Sequence, residues 1–152
     1  MADFTKSTWI DAPPDVVFEY FTDPEKMKRW CGRTAELDPV PGGIYRLDMG
    51  HWGTVEGEYV RVDPPNFISH TVPSGGDPDA PASLIEVTIS ADAGGSRVEI
   101  RQTNLEDPMN KVAQRGWEHH LARLSVAATG GSPGPDPLCT RDLASFESVL
   151  EQ

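Results

Sequence analysis

The sequence of 152 residues predicts an α+β fold, in which a curved antiparallel sheet of six to seven strands packs around one long C-terminal helix. Three observations support this prediction. Short segments with the two-residue period of a strand follow one another as far as residue 103, joined by turns. Two short helical patterns come directly after the first of these segments, and one long helical pattern comes after the last.

The longest regular pattern is a helix predicted over residues 107–128. Asp107 is a residue type that caps helix starts, and Pro108 fits a first turn, where its missing N–H is not needed. Apolar residues at three- and four-residue spacing predict a buried face of Met109, Val112, Ala113, Gly116, Trp117, His120, Leu121, Leu124 and Ala128. The face predicted to be exposed consists of Asn110, Lys111, Arg115, Glu118, His119 and Arg123. This helix would be about 30 Å long, so a broad sheet is needed to cover it.

Six segments are predicted to be strands, because polar and apolar residues alternate in them or because β-branched and aromatic residues are enriched. They span residues 4–11, 45–49, 54–62, 67–72, 84–90 and 97–103. Gly94 and Gly95 permit a hairpin turn between the last two strands. Gly57, inside the third strand, indicates either a bulge or the close approach of another backbone. Residues 73–81 are rich in Pro, Gly and Asp and predict an exposed, mobile loop.

Proline and capping signals predict the two short helices. Pro13 and Pro14 fit the first turn of a helix that ends near Phe21. The run 22–24, Thr-Asp-Pro, repeats the signal and begins a second helix that ends near Trp30. Both helices are predicted to place their apolar side against the rest of the domain.

Length and composition indicate one main domain that binds neither nucleic acid nor membrane. The net charge of −11 opposes binding to phosphate groups and to acidic membrane surfaces. No apolar run is long enough to span a bilayer, and the N-terminus lacks the features of a signal peptide, so we expect a cytoplasmic protein. Cys31 and Cys139 are far apart without metal-ligand spacing and are predicted to be free thiols. No cofactor or metal motif is found.

Several segments together resemble the Hsp90-ATPase-activator-like (AHSA1-type) family, which belongs to the START/Bet v 1-like (SRPBCC) superfamily of helix-grip folds. These segments are Ala12–Phe18, Thr22–Trp30, Pro41–Leu47, Gly57–Tyr59, Asp63–Pro65 and Gly116–Leu124. The resemblance covers residues 4–128 and implies a helix-grip domain with a hydrophobic ligand cavity between the sheet and the long helix. We therefore assign residues 1–128 to this domain.

Two features depart from the family pattern. The family commonly has a histidine at the end of the last strand, where this chain has Gln102, so a role that depends on that imidazole is in doubt. The family's chain often ends with the long helix, whereas this chain continues through residues 129–152. That segment is predicted to be a Pro/Gly linker and an amphipathic helix that begins near Thr140. We expect this helix to pack over the cavity mouth or to form a homodimer contact.

The strand and helix periods direct a set of polar, aromatic and apolar side chains toward the predicted cavity. As ligand-binding candidates we name Trp30, Tyr45, Tyr59, His70, Gln102, Trp117, His120, Leu121 and Leu124. His120 is either a hydrogen-bonded core residue or a group that orients a ligand carbonyl, and Trp117 is either core or a ligand platform. Glu86 is either exposed to solvent or a single carboxylate inside the cup. His51 and Trp52 lie at a turn that either rims the opening or has no such role.

Three functions are compatible with the sequence. The first is binding of a small apolar or amphipathic molecule without catalysis, and no catalytic residue is assigned because the nucleophile, phosphate-loop and metal motifs of enzymes are absent. The second is an enzyme of the cyclase or dehydratase type found in the superfamily, for which His70, Glu86 and His120 are the acid and base candidates. The third is regulation of an Hsp90-type chaperone, which the family resemblance suggests.

Overall fold

The structure is a computed structural model and describes residues 3–50, 53–73, 82–105, 107 and 109–134. In this part of the chain seven strands form one antiparallel sheet, and the long helix follows the last strand. The elements are β1 (Phe4–Ile10), α1 (Pro14–Thr22), α2 (Pro24–Met27), β2 (Thr34–Leu37), β3 (Ile44–Asp48), β4 (Thr54–Asp63), β5 (Phe67–Val72), β6 (Ser83–Asp92), β7 (Gly95–Thr103) and α3 (Met109–Ala128). The strand order is β1-β7-β6-β5-β4-β3-β2.

The sheet has one apolar face, which the alternation of residues predicts. In β6 the side chains of Ile85, Val87 and Ile89 are buried, and each lies on the same face as its neighbour two positions away. In β7 the buried aliphatic side chains are Val98 and Ile100, which pair directly with Ile89 and Val87. The α3 side chains of Leu121 and Leu124 belong to the same buried cluster. The sheet and the long helix therefore bury their apolar faces against each other, as predicted.

The two short helices begin as predicted, but the second one is shorter. Pro14 occupies the first turn of α1, and the Asp23 carboxylate accepts a 2.9 Å hydrogen bond from the Glu25 backbone N–H at the start of α2. The prediction that this helix continues to Trp30 is wrong, because α2 ends at Met27 and a turn follows. Trp30 is fully buried, and its indole N–H donates to the Tyr20 carbonyl at 2.9 Å.

Strand β2 is absent from the sequence prediction of individual segments. It has only four residues, and two of them, Ala35 and Glu36, favour helices over strands. Its backbone forms the outer edge of the sheet and pairs with β3, from Thr34 opposite Asp48 to Leu37 opposite Tyr45. Pairing with an existing strand, rather than its own residue types, determines this segment.

The polar face assigned to α3 is partly wrong, because Asn110 and Arg123 are buried and His119 is half-buried. The Arg123 guanidinium donates to three backbone carbonyls: from Nε to Trp30 at 3.2 Å, and from Nη1 and Nη2 to residues 133 and 134 at 3.3 and 2.6 Å. The Asn110 amide donates to the Leu105 carbonyl at 2.9 Å. A prediction of one buried stripe misses Asn110 and Arg123, because they are buried against backbone carbonyls outside the helix and not against the apolar face of the sheet.

Some predictions concern residues outside the described part of the chain. Of the linker and amphipathic helix predicted for residues 129–152, the part from 135 to 152, with Cys139, lies there, as do residues 51–52 at the turn and 74–81 in the predicted loop. The division into a domain at 1–128 and a segment at 129–152 therefore stays a prediction. Among the helices of the described residues, none is long and apolar enough to cross a bilayer.

Candidate functional site

A cleft with a volume of about 370 Å³ lies between the sheet and the first half of α3. Its wall on the sheet side consists of Cys31, Tyr45, Leu47, Met49, Thr54, Val55, Val72, Pro73 and Ile85. Its wall on the helix side consists of Met109, Val112, Ala113, Gly116, Trp117 and His120. Most of these side chains are apolar, and the cleft falls in the size range of small-molecule sites, about 300–1,000 Å³.

The helix side of the cleft is the N-terminal half of the predicted apolar stripe. Its residues recur at spacings of three and four, which places them on one face of α3. Gly116 lies in the middle of this face, and a Cβ atom built on it would meet no other atom within 4 Å. The missing side chain at Gly116 therefore leaves open space in the cleft. Met109 remains 38% exposed, although it belongs to the predicted buried face.

Tyr45 is the aromatic residue of the sheet wall, and His70 lies behind it. Their rings stack with centroids 3.7 Å apart and an angle of 15° between planes, although β4 separates the strands that carry them. Gly57 of β4 is the residue directly opposite Tyr45, and directly opposed residues share a face of the sheet. Because Gly57 has no side chain, the Tyr45 ring extends across β4 to His70. A β-bulge follows on β4, where the register with β5 shifts between Tyr59 and Arg61.

Burial keeps these side chains uncharged at neutral pH. Desolvation lowers the pKa of His70 to about 4, and a contact of its Nδ1 with the Thr71 carbonyl at 3.3 Å opposes this shift only weakly. Desolvation also raises the pKa of the Tyr45 hydroxyl well above its usual value, with smaller contributions from Cys31 and Tyr59. The pKa of Tyr59 is raised in the same way, and its hydroxyl donates to the Phe21 carbonyl at 3.3 Å. The sheet wall is therefore apolar in character despite its polar atoms.

Three of the nine predicted ligand-binding residues line the cleft: Tyr45, Trp117 and His120. The His120 ring meets the Trp30 ring edge-on, with centroids 6.4 Å apart. The remaining six predicted residues are buried without lining the cleft, and they are Trp30, Tyr59, His70, Gln102, Leu121 and Leu124. Whether any of the nine contacts a ligand stays a prediction.

The fold and the cleft can now be compared with known proteins. The model of the AHSA1 family, described as activator of Hsp90 ATPase homolog 1-like protein, matches residues 11–129. The chain belongs to the AHSA1 family. No curated protein matches the sequence.

Solved structures of the same fold include AHSA1 proteins and others. The protein MLL2253 from Mesorhizobium loti is 19% identical with a TM-score of 0.76, covering 84% of this chain and 97% of that one. The HSP90 activator PFC0360w from Plasmodium falciparum is 22% identical with a TM-score of 0.72, covering 83% of this chain and 95% of that one. The Aha1 dimer from Colwellia psychrerythraea is 16% identical with a TM-score of 0.73, covering 86% of this chain and 98% of that one. These similarities confirm the helix-grip fold, and the last shows that a protein of this fold forms a dimer.

In this AHSA1-family chain Gln102 connects the helix to the sheet behind the cleft. The Trp117 indole N–H donates to the Gln102 side-chain oxygen at 3.1 Å, and the Gln102 amide donates to the Ser83 hydroxyl at 3.0 Å. Ser83 in turn donates to the Thr103 carbonyl at 2.6 Å. A carboxamide both accepts and donates, so it links the two partners without a charge. This buried series fixes the orientation of the Trp117 ring in the cleft wall.

The acid and base candidates of the enzyme hypothesis do not share the cleft. Glu86 lies on the opposite face of the sheet from Ile85, and its carboxylate pairs with Arg101 at 3.2 Å. His70 is buried behind the wall, so of the three candidates only His120 lines the cleft. Among the described residues, no group of three or more His, Cys, Asp or Glu side chains is arranged to hold a metal ion.

Several residues of the cleft are missing from the predicted site. Five of them, Met49, Thr54, Val55, Val72 and Pro73, lie in or beside the ends of β3, β4 and β5, and Cys31 follows the turn after α2. Strand alternation identifies a face of the sheet but not which end of it stays uncovered by the helix. Gly116 and Ala113 carried a usable signal, because Gly116 is one turn from His120 and Ala113 is one turn from Trp117 on the predicted buried face.

Proposed function

We propose that this protein binds a small apolar or amphipathic molecule in the cleft between the sheet and α3. The observation that carries the proposal is the cleft of about 370 Å³, whose walls consist mainly of aliphatic and aromatic side chains. Apolar surface in such a space is removed from water when a ligand enters, which contributes about 25 cal/mol per Å² of buried area. A few polar atoms, from Tyr45, Thr54 and His120, are present to orient the bound molecule.

Gly116→Leu is expected to weaken binding strongly without weakening the fold. The leucine side chain would project into the open space beside Gly116 and occupy the volume that a ligand needs. Removing a glycine from the interior of a helix stabilises it by about 0.5–1 kcal/mol. We expect the affinity for the neutral fluorescent probe N-phenyl-1-naphthylamine to fall by about tenfold or more, which corresponds to about 1.4 kcal/mol. The thermal midpoint should stay the same or rise.

Ala122→Leu is the matched control, because Ala122 is exposed on the same helix. It places the same leucine side chain outside the cleft and should leave probe binding unchanged. Native mass spectrometry of the gently purified protein provides an independent measurement, since a co-purified small molecule should be present in the wild type and lost in Gly116→Leu. Equal probe affinity in the wild type and Gly116→Leu, or no binding of any apolar probe to the wild type, would contradict the proposal.

Regulation of an Hsp90-type chaperone is the second candidate, because the description of the matching family names activation of the Hsp90 ATPase. If this candidate holds, we expect the protein to change the ATP hydrolysis rate of a purified Hsp90-type chaperone, and Gly116→Leu to do so equally well. A ligand-binding role predicts the reverse, with loss of probe binding in the variant and no effect on the chaperone. An unchanged hydrolysis rate over a wide range of protein concentrations would eliminate this candidate.

A further inference from the structure

The described walls of the cleft contain no formally charged side chain. Among the described residues that line it there is no Asp, Glu, Lys or Arg. The whole chain carries a net charge of −11. The described walls therefore offer no lysine or arginine to an anion.

A charged ligand group would be poorly stabilised in these surroundings. Moving an ionised carboxylate from water into an apolar space is strongly unfavourable unless a countercharge and hydrogen bonds replace its hydration. The sheet wall supplies no countercharge, because burial keeps the Tyr45 hydroxyl protonated and holds His70, behind the wall, uncharged. An ammonium group faces the same loss of hydration without a carboxylate partner in the described walls. Uncharged molecules avoid this penalty.

Tyr45 supplies a specific polar contact inside the cleft. It lines the cleft with only 5% of its surface exposed, so its hydroxyl is held in a largely apolar environment. Among the described residues its hydroxyl has no hydrogen-bond partner, whereas the hydroxyls of Tyr20 and Tyr59 each donate to a backbone carbonyl, at 3.0 and 3.3 Å. Stacking on His70 fixes the direction of the ring. A hydroxyl that borders the cleft, is held in place and has capacity for a hydrogen bond suits a ligand oxygen.

We propose that the cleft selects an uncharged molecule with an apolar body and a hydroxyl or carbonyl oxygen, and that this oxygen hydrogen-bonds to the Tyr45 hydroxyl. This inference rests on the proposed ligand-binding function and specifies the chemical class of the ligand. It excludes free fatty acids and other carboxylates as preferred ligands, and it assigns Tyr45 as a residue that determines specificity.

Three probes with the same ten-carbon chain test the inference: decanol, decanoate and decylammonium, each titrated at neutral pH by displacement of N-phenyl-1-naphthylamine. We expect decanol to bind about tenfold or more tightly than either charged probe, because only the charged head groups lose hydration without a partner. Tyr45→Phe removes the hydroxyl and keeps the ring. It should weaken decanol binding about three- to tenfold, the effect of one net hydrogen bond, and this loss should be larger than the loss of affinity for N-phenyl-1-naphthylamine.

The possible failures are distinguishable. If decanoate binds as tightly as decanol, the inference is overturned while the binding function stands. If decanoate binds more tightly and loses this advantage in His120→Gln, the imidazole of His120 is the countercharge and the inference is likewise overturned. If Tyr45→Phe binds decanol like the wild type, the role of Tyr45 is wrong. If the fluorescent probe itself does not bind, the proposed function fails, and the inference fails with it.

Discussion

Gly57→Ala is expected to lower the free energy of unfolding by at least about 3 kcal/mol. A Cβ atom on Gly57 would lie 1.8 Å from the Thr71 carbonyl oxygen and 2.6 Å from its carbon. These are backbone atoms of β5, which pairs with β4 on one side and with β6 on the other. The strands would have to separate to admit the methyl group. Adding atoms to a packed interior usually costs about 1–3 kcal/mol, and the clash with paired backbone places Gly57 at or above the upper end.

Urea unfolding of Gly57→Ala measures this effect, with Gly116→Ala as the matched control. The control introduces the same methyl group at a glycine where it would meet no atom within 4 Å, and we expect it to stabilise the protein by about 0.5–1 kcal/mol. The two variants should therefore shift the urea midpoint in opposite directions, while the dependence of the unfolding free energy on urea concentration stays similar. A Gly57→Ala midpoint within experimental error of the wild type would show that β4 and β5 are not in close contact at this position.

His70 is expected to make the fold less stable as the pH falls from about 6.5 to about 4. Its pKa is 6.5 in the unfolded chain and about 4 in the folded one, so the unfolded state binds more protons throughout this interval. The direction is the opposite of a histidine that gains an acidic partner, because here burial depresses the pKa. The contribution is fully present above about pH 6.5. By linkage, about 2 kcal/mol is lost by about pH 5 and about 3 kcal/mol by about pH 4.

The difference in pH dependence between the wild type and His70→Gln isolates this contribution. Other groups titrate in the same interval, but they are common to both proteins and cancel in the comparison. His70→Gln should lower stability at neutral pH, because it removes the ring that stacks on Tyr45, yet show a flatter decline in acid. Parallel curves for the two proteins between about pH 6.5 and 4 would mean that His70 is not desolvated in the fold.

Much of the fold is predictable from the sequence because its elements are specified locally. The β6 and β7 strands alternate cleanly, and α3 carries an apolar stripe over its whole length, so period alone identifies them. β2 is different, since its four residues have no strong preference for the strand conformation and become a strand only by pairing with β3. Arg123 is also unpredictable from period, because its burial depends on carbonyls at Trp30 and beyond the helix that the chain brings together only in three dimensions.

The cleft is predictable only in part, for a similar reason. Alternation and helical spacing give the side of each element that faces inward, which is sufficient for Tyr45, Trp117 and His120. They do not indicate whether an inward side chain borders the cleft or lies deeper in the packed interior. Trp30 and Gln102 face inward as well, yet both hydrogen-bond to neighbouring protein groups and lie within the packed interior. Which inward residues border open space depends on where the helix leaves the sheet, and that follows from the curvature of all seven strands.

The series that links Trp117, Gln102 and Ser83 has a consequence for how the domain responds to acid. A carboxamide, an indole and a hydroxyl neither gain nor lose protons between mildly acidic and mildly alkaline conditions, so these contacts persist unchanged across that range. An imidazole at position 102 would place a titrating group in contact with Trp117. With glutamine there, these contacts do not change on protonation, whereas protonation of His70, on the other side of β6, lowers stability in acid.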